Sequence, residues 1–468
     1  MVICLIAEGA YPYVTGGVSS WINQLINGLP HIKFKVISLM PSYKEELEYK
    51  YKIPDNLIEI RTIYLDDYLK LKHRFIKRKL RFNKEERECL YKLLSLESDV
   101  EWNKLINLIS NPKKIGSSVD FLQSKFFWDN IIDIYTKQYN EESLNTFFWT
   151  VRTMLLPFLN LFNQEIMEAD IYHAVSTGYA GIIGVHFKQI NKKPFLLTEH
   201  GIYAREREEE IIKANWVTGI YKKLWIKFFY FISTAAYKEA DKIVTLFQRN
   251  QDIQHKLGAS KEKTEIIHNG VNLENYKIEY EEHEEYNIGA ILRIVPIKDV
   301  MTLIRAFKIV KDTVDSAKLY LIGPADEDKE YYQQCLGLVK LLKLEKDIIF
   351  TGRVDVKEYL KKIDVLVLTS ISEGQPLVIL EGMASGIPIV STDVGGCKEL
   401  LEEDDHEGSC GIVTNLVSAS ETAAMIIRLI KNPDLRKQMG KNGRIRAERI
   451  YSEKSFIDNY KRLYEELG

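Results

Sequence analysis

The chain alternates between short apolar runs and longer stretches in which apolar residues recur at helical spacing. In the first half, each apolar run is bounded by glycine or polar residues. Such runs, separated by helices, are typical of parallel strands in a sheet that is covered on both faces. The predicted strands of this half are Val2–Ala7, Phe34–Met40, Ile171–Ser176, Phe195–Thr198, Lys242–Phe247 and Glu265–His268.

The same alternation begins again after an acidic segment that starts at Tyr276 and has little to bury, which we interpret as a linker. The sequence therefore predicts two doubly wound α/β domains of similar size, over residues 1–275 and 276–450. Helical spacing of apolar residues over 451–468 predicts a last helix that packs back on the first domain. The predicted strands of the second domain are Asn287–Ile294, Lys318–Ile322, Ile348–Thr351, Val365–Thr369 and Ile389–Thr392.

One region of the first domain, residues 43–168, departs from this alternation. It is mostly charged and helical in pattern, with aromatic residues at irregular intervals, and Arg74–Arg87 is its most basic part. We interpret the region as a helical insertion whose long cationic side chains form a solvated face. A surface that binds an acceptor or a partner is the alternative.

Composition limits the class of protein. With 64 Lys+Arg and 66 Asp+Glu among 468 residues, the net charge is −2, which does not suit a nucleic-acid-binding polycation. The five cysteines are scattered without a CxxC spacing, which favours the reducing cytoplasm. The most apolar segment, Leu224–Ala236, is shorter than the ~20 residues that span a bilayer, so no transmembrane segment is expected. Its flanking lysines fit either a core helix with basic ends or a helix that lies on a membrane surface.

Ligands of parallel α/β sheets bind beyond the carboxyl ends of the strands, so chemistry is expected there. Gly16 and Gly17 precede a helical run, and glycines in that place allow backbone N–H groups to approach a phosphate. A plain turn explains them as well. His200 directly follows a predicted strand, as either a structural or a reactive imidazole. Arg205 and Arg207 follow in a charged run, which is either a solvated helix start or a contact to a phosphate or acceptor.

The second domain carries sharper signals. Arg293 and Lys298 follow its first strand, and two cations so placed suit a diphosphate. A later loop contains Glu373, and Pro376 suits the first turn of the apolar helix that bears Glu381. Carboxylates accept hydrogen bonds from the vicinal hydroxyls of sugars and ribose. The pattern therefore favours a site for a sugar linked to a diphosphate.

At these residues the chain resembles a known family. Glu373 and Glu381, followed by Gly386-Ile387-Pro388 and Asp393-Val394-Gly395-Gly396, are similar to the E-x7-E signature of retaining GT-B glycosyltransferases of family four (group 1). The segments AEGAYPYVTGGVSSW, TEHGIYARERE and RIVPIKD resemble more narrowly the PelF type, the cytosolic glycosyltransferase of Pel exopolysaccharide synthesis. Further points of resemblance are Gly16-Gly17, His200, His268-Asn269-Gly270-Val271, Arg293 with Lys298, Gly323, Gly352-Arg353 and the closing segment.

The resemblance implies a GT-B fold, in which two Rossmann-like domains face a central cleft. It also implies that a sugar passes from a UDP-sugar, either UDP-glucose or a UDP-hexosamine, to a growing exopolysaccharide with retention at the anomeric carbon. Arg293 and Lys298 would hold the donor diphosphate, and Glu381 the ribose hydroxyls. Glu373 would hold the transferred sugar, which His200 would face.

The resemblance assigns the remaining residues to groups. The donor-binding residues that it implies are Gly16, Gly17, Arg293, Lys298, Gly323, Arg353, Glu373, Gly374, Gln375, Pro376, Leu377 and Glu381. The catalytic residues that it implies are His200, Glu373, Arg293 and Lys298. Arg205 and Arg207 are candidate acceptor-binding residues from their place in the charged run beside His200. One departure from the family is Leu292, because a glycine often precedes the arginine at this position. The resemblance therefore does not predict the path of this loop.

Several alternatives stay open at this level. No metal or other cofactor is expected, although Asp326-Glu327-Asp328 matches the DxD letters of metal-dependent transferases; acidic residues at a helix start explain them as well. A sugar-nucleotide epimerase, a phosphorylase and a non-catalytic nucleotide-sugar-binding subunit are the alternative functions. The PelF resemblance also implies peripheral association with an inner-membrane polysaccharide synthase.

Overall fold

The structure, a computed structural model, describes residues 1–43, 47–67, 80–281, 283–402, 406 and 408–468. The chain divides into two compact units. Unit 1 contains Met1–Thr245, Gln251–Glu265 and Tyr460–Gly468, and unit 2 contains Leu246–Asn250 and Ile266–Asn459. The main change between units thus follows Glu265, ten residues before the predicted boundary at 275.

Unit 1 is built on a seven-stranded sheet with the order β3-β2-β1-β4-β5-β6-β7. The central strands are nearly continuous apolar runs and are buried on both faces, as expected of a parallel sheet. The neighbouring pairs from β3 to β6 are parallel. The strands are β1 (Val2–Glu8), β2 (Lys33–Met40), β3 (Leu57–Tyr64), β4 (Ile171–Ala174), β5 (Phe195–Glu199), β6 (Lys242–Thr245) and β7 (Thr264–Ile266).

Helices connect these strands and cover the sheet. The insertion is helical from α2 onward, and its apolar residues share one hydrophobic core with the sheet helices α8 and α10. The helices are α1 (Gly17–Gly28), α2 (Lys84–Ser95), α3 (Trp102–Ile109), α4 (Pro112–Ile115), α5 (Ser118–Leu122), α6 (Lys125–Gln138), α7 (Leu144–Leu161), α8 (Tyr179–Asn191), α9 (Tyr203–Lys213), α10 (Ile220–Glu239) and α11 (Gln248–Lys256).

Two predictions for this unit need comment. The helical interpretation of residues 43–168 is wrong for Leu57–Tyr64, which form strand β3 at the edge of the sheet. The basic segment Arg74–Arg87 lies outside the described residues up to position 79, and α2 begins at Lys84. In α10, most of the aromatic residues are buried, and Lys227 donates to the carbonyl of Ser95, 2.7 Å away. These contacts fit the core-helix interpretation of this segment.

Unit 2 repeats the architecture on a six-stranded parallel sheet with the order β10-β9-β8-β11-β12-β13. The short edge strand β13 was not predicted. The strands are β8 (Tyr286–Ile291), β9 (Ala317–Ile322), β10 (Ile348–Gly352), β11 (Val365–Leu368), β12 (Ile389–Thr392) and β13 (Gly411–Thr414). The helices are α12 (Val300–Thr313), α13 (Lys329–Leu341), α14 (Val356–Leu360), α15 (Leu377–Ala384), α16 (Cys397–Leu401), α17 (Ala419–Ile430) and α18 (Pro433–Arg449).

The last helix, α19 (Glu453–Leu467), enters unit 1 at Tyr460. There the hydroxyl of Tyr464 hydrogen-bonds Nδ1 of His173 at 2.7 Å, and the hydroxyl of Tyr460 hydrogen-bonds Thr198 at 3.0 Å. All four residues are buried. None of the helices in the described ranges has the combination of length and apolar character that a bilayer crossing requires.

Candidate functional site

The carboxyl edge of the unit 2 sheet brings Lys298 and Glu373 together. Lys298 ends a 3-10 turn over Pro296–Lys298 that follows β8, and Glu373 lies in the loop after β11. Their side chains form a largely buried ion pair. The hydroxyl of Thr369 donates to the carbonyl of Lys298 at 3.1 Å, and the N–H of Ile371 donates to Ile297 at 2.8 Å. The two loops are therefore fixed to each other, which holds the cation at the sheet edge.

Helix α15 begins directly after this loop, with Pro376 as its N-cap residue and without a side chain that caps its first N–H groups. A helix N-terminus in this state favours an anion, because free amides and the helix dipole both point to it. Glu381 lies farther along α15 and accepts a hydrogen bond from the hydroxyl of Tyr276. Burial raises the pKa of the Glu381 carboxyl, and this hydrogen bond partly offsets the effect.

Gly374 and Gln375, both predicted to bind the donor, have structural contacts of their own. The side chain of Gln375 accepts from the N–H of Asn269 at 2.7 Å and donates to the carbonyl of Leu246 at 3.1 Å. The carbonyl of Gly374 accepts from the N–H of Gly396 at 2.9 Å. Gln375 therefore anchors the loop by its side chain, a role that the sequence analysis did not identify.

Gly395, the first of the two glycines after strand β12, lies where the backbone requires glycine. Its φ is +54°, and a Cβ atom there would collide with the carbonyl oxygens of Glu373 and Gly374. Only glycine permits this close approach without a shift of the loop that carries Glu373.

Arg293 and Arg353 lie at the same sheet edge with acidic partners. Arg293 contacts both carboxylate oxygens of Glu327 at 2.6 Å, and Arg353 lies 3.3 Å from Asp326. Asp328 accepts from the N–H of Tyr331 as the N-cap of α13. The three DxD letters thus face three different partners, and the helix-start interpretation explains Asp328.

The structure also shows how Leu292 packs at the position where the family often has a glycine. Leu292 is buried in the unit 2 core, and its carbonyl lies where a Cβ atom on Gly323 would stand. Gly323 has a φ of +141°, and its N–H donates to Gly352 at 3.1 Å. A groove of about 620 Å³ opens beside this point, and Tyr332 and Arg353 are among its lining residues.

The carboxyl edge of the unit 1 sheet forms a cleft of about 310 Å³. Gly16, Gly17 and His200 all line it, as does Arg207. A Cβ atom on either glycine would meet nothing within 4 Å, so packing inside the unit does not require glycine there. Arg205 is exposed and lies near Tyr230 instead, which separates it from Arg207.

His200 packs against the indole of Trp21, with ring centroids 4.9 Å apart and nearly perpendicular planes. Burial lowers the pKa of the His200 imidazole to about 4. The ring is therefore neutral at pH 7. Trp21 also contacts the ring of Tyr460, so the last helix lies behind the residue that supports His200.

Two carboxylates at this edge were missed as functional candidates. Glu199 is buried and accepts four hydrogen bonds, of which the shortest comes from the hydroxyl of Tyr237 at 2.6 Å. Glu8 ends strand β1 and lines the cleft. Burial raises the pKa of both. Their position could have indicated a functional role, since each is the last residue of a strand.

Comparison with known proteins shows the family of the chain. A model of a domain of unknown function (DUF3492) matches residues 1–262, more than half of the chain, and the model "Glycosyl transferases group 1" matches residues 274–446. An uncharacterized glycosyltransferase of Methanocaldococcus jannaschii is 30% identical over 313 residues, which cover 65% of this chain and 78% of that protein. The chain belongs to the DUF3492 family and to the group 1 glycosyltransferases.

Solved structures align with the full length of this chain. The sucrose-phosphate synthase of Thermosynechococcus elongatus aligns with a TM-score of 0.63 and 17% identity, and covers 100% of this chain and 98% of its own. Anabaena HepE in complex with UDP aligns with a TM-score of 0.64 and 15% identity, and covers both chains in full. At these identities the likeness shows the fold, and the GT-B prediction for this glycosyltransferase is confirmed.

Proposed function

We propose that this glycosyltransferase moves a sugar from a UDP-sugar to a growing glycan, with retention at the anomeric carbon and without a metal ion. The observation that carries the proposal is the position of Lys298 and Glu373 beside the uncapped N-terminus of α15. A cation, a carboxylate and free amides at one sheet edge suit a ligand that is both a diphosphate and a sugar.

The diphosphate is the group that leaves in this reaction, so its negative charge must be stabilised as the bond to the sugar breaks. Lys298 and the first amides of α15 supply fixed positive charge for this purpose. Arg293 adds a second cation from the same loop, once it exchanges Glu327 for phosphate oxygens. Chemistry of this kind needs no metal, because the protein's own cations and amides neutralise the leaving group.

The two glutamates divide the hydroxyl groups of the donor. Glu373 binds the transferred sugar when phosphate takes its place as the partner of Lys298. Glu381, held by Tyr276, binds the ribose hydroxyls. The groove beside Arg353 and Tyr332 receives the nucleobase, and its volume of about 620 Å³ is sufficient for one.

Uridine is the proposed nucleoside because the resemblance implies it and because the similar Anabaena HepE is a complex with UDP. The proposed acceptor is an exopolysaccharide, and the proposed location is the cytoplasm, at an inner-membrane synthase. These two points rest on the PelF-like segments around Gly16-Gly17, His200 and Arg293.

Nucleotide release from a panel of UDP-, GDP- and ADP-sugars tests the proposal, with wild type and Glu381→Ala compared in EDTA. We expect selective release of UDP, its loss in the variant, and an anomeric proton coupling in the product that matches the donor. Inversion of that coupling contradicts retention, and dependence on added Mn²⁺ contradicts the metal-free mechanism.

Product analysis in the same assay separates the alternative functions. An epimerase changes the sugar without release of UDP, and a phosphorylase requires inorganic phosphate. Tight binding of UDP without turnover, even with glycan present, favours the binding-subunit alternative.

A further inference from the structure

The unit 1 cleft carries more negative than positive charge. Among the described residues that line it, Glu8, Glu199 and Glu206 are acidic and Arg207 is the one cation. Arg207 already donates to Glu210 at 2.7 Å, and its guanidinium lies over the ring of Tyr203 at 5.1 Å. A phosphate or carboxylate ligand would meet repulsion here, whereas a neutral ligand with hydroxyl groups would find hydrogen-bond acceptors.

Glu8 is held in one orientation by two donors from different elements. The hydroxyl of Tyr203 donates to Oε1 at 2.9 Å, and the first N–H of α8, from Tyr179, donates to Oε2 at 3.0 Å. A Cβ atom on Gly178 would collide with both Glu8 and Tyr203, so glycine at this position makes room for the pair. The carboxylate is therefore fixed before any ligand binds.

The two donors leave acceptor capacity on Glu8. An ionised carboxylate offers about four lone-pair sites, and two are used. The side chain is only partly buried and lines the same cleft as His200 and the Gly16-Gly17 loop. A residue that served only to cap α8 would not need to face this cleft.

We propose that Glu8 determines acceptor specificity by accepting hydrogen bonds from the hydroxyl groups of a neutral acceptor sugar. This inference rests on the proposed glycosyl transfer. It assigns the orientation of the acceptor to a fixed carboxylate, and it assigns neutral saccharides, and not phosphorylated or acidic ones, as the acceptor class.

The test separates transfer from hydrolysis of the donor. Purified full-length protein is given UDP-glucose or UDP-N-acetylglucosamine, and UDP release is measured in water alone and with added cellobiose or chitobiose. Glucose 6-phosphate serves as the anionic saccharide. The variant Glu8→Gln keeps the size of the side chain, and its amide can still pair with Tyr179 and Tyr203. Glu85→Gln, at an exposed position of α2, is the matched control.

We expect Glu8→Gln to reduce the saccharide-stimulated release about 10- to 100-fold, because a hydrogen bond to a charged group is lost. Release in water alone stays at the wild-type rate, and Glu85→Gln matches wild type in both assays. Tyr203→Phe removes one of the two donors that orient Glu8 and gives a smaller loss of the same kind.

Three results would overturn the inference. One is an equal loss of both rates in Glu8→Gln together with a lower melting temperature, which indicates a helix cap only. The others are a variant with unchanged stimulation, and a wild type stimulated by glucose 6-phosphate but by neither neutral disaccharide. Failure of wild type to release UDP from any donor is a different result, since it contradicts the proposed function itself.

Discussion

Three histidines of unit 1 lie in surroundings that oppose protonation. Burial lowers the pKa of His186 and His200 to about 4, and burial together with the neighbouring His200 lowers that of His173 to about 3. All three are therefore neutral at pH 7. For His200 this means that one ring nitrogen is a donor and the other an acceptor, without a positive charge.

Replacement of His186 tests this protonation state away from the proposed sites. We expect wild type to lose stability relative to His186→Gln as the pH falls from about 6.5 to about 4, because only the unfolded chain binds the proton in that range. The slope is roughly 1 kcal/mol per pH unit. Urea unfolding of both proteins between pH 5 and 8 measures it. Above pH 7 the difference should be constant, and parallel curves throughout would show that the pKa of His186 is the same in the folded and unfolded chains.

Some of the site residues could be predicted from the sequence, and others could not. Lys298, Glu373 and Glu381 could be selected because glycine, proline and strand patterns beside them indicate a sheet edge. The anchoring role of Gln375 could not be predicted, because its partner Asn269 is 106 residues away. Glu8 and Glu199 each end a strand, but the hydrogen bonds that hold them could not be predicted, since their tyrosine donors come from other segments.

At the scale of elements, the two missed strands, β3 and β13, each lie at the edge of a sheet. β3 is fully buried at only two of its eight positions and contains Glu59 and Arg61, so it lacks the apolar run by which the central strands were found. β13 is fully buried at only two of its four positions. The central strands and the helices between them were predictable because burial on both faces leaves a strong pattern.

The loop that carries Glu373 should depend on glycine at position 395. We expect Gly395→Ala to weaken UDP binding and turnover, because the positive φ and the collision with two carbonyls force the loop to shift. Calorimetric titration with UDP and the release assay measure the two effects. Gly337→Ala in the middle of α13 is the control, since a Cβ atom there meets nothing and should stabilise the helix by up to about 1 kcal/mol. Equal UDP affinity in wild type and Gly395→Ala would refute the expectation.

The last helix should contribute to unit 1 through its tyrosine hydroxyls. Tyr464→Phe removes the hydrogen bond to Nδ1 of His173 and leaves a buried polar atom without that partner. We expect a loss of about 1–3 kcal/mol in the free energy of unfolding. Urea unfolding measures it, with the exposed Tyr49→Phe expected within about 0.5 kcal/mol of wild type. A Tyr464→Phe variant as stable as wild type would mean that this contact adds nothing.

At the scale of the whole molecule, one rule applies to both units. Each has a parallel sheet, and each places its predicted site residues at the carboxyl edge of that sheet. The resemblance to family four, and not the pattern, supplied the roles within each edge. The proposed stabilisation of the leaving group depends most on Lys298, because contacts between its loop and the loop of Glu373 hold this cation in place.

The most direct test compares kcat for UDP release between wild type and Lys298→Gln, at saturating UDP-sugar in EDTA. Lys346→Gln, on the surface of the same unit, controls for the loss of a positive charge. We expect kcat to fall on the order of 10²–10³-fold in a folded Lys298→Gln variant and to stay constant in Lys346→Gln. The melting temperature of Lys298→Gln also falls, because Glu373 loses its partner in a largely buried ion pair. Full turnover by a folded Lys298→Gln variant would contradict the proposed role of Lys298.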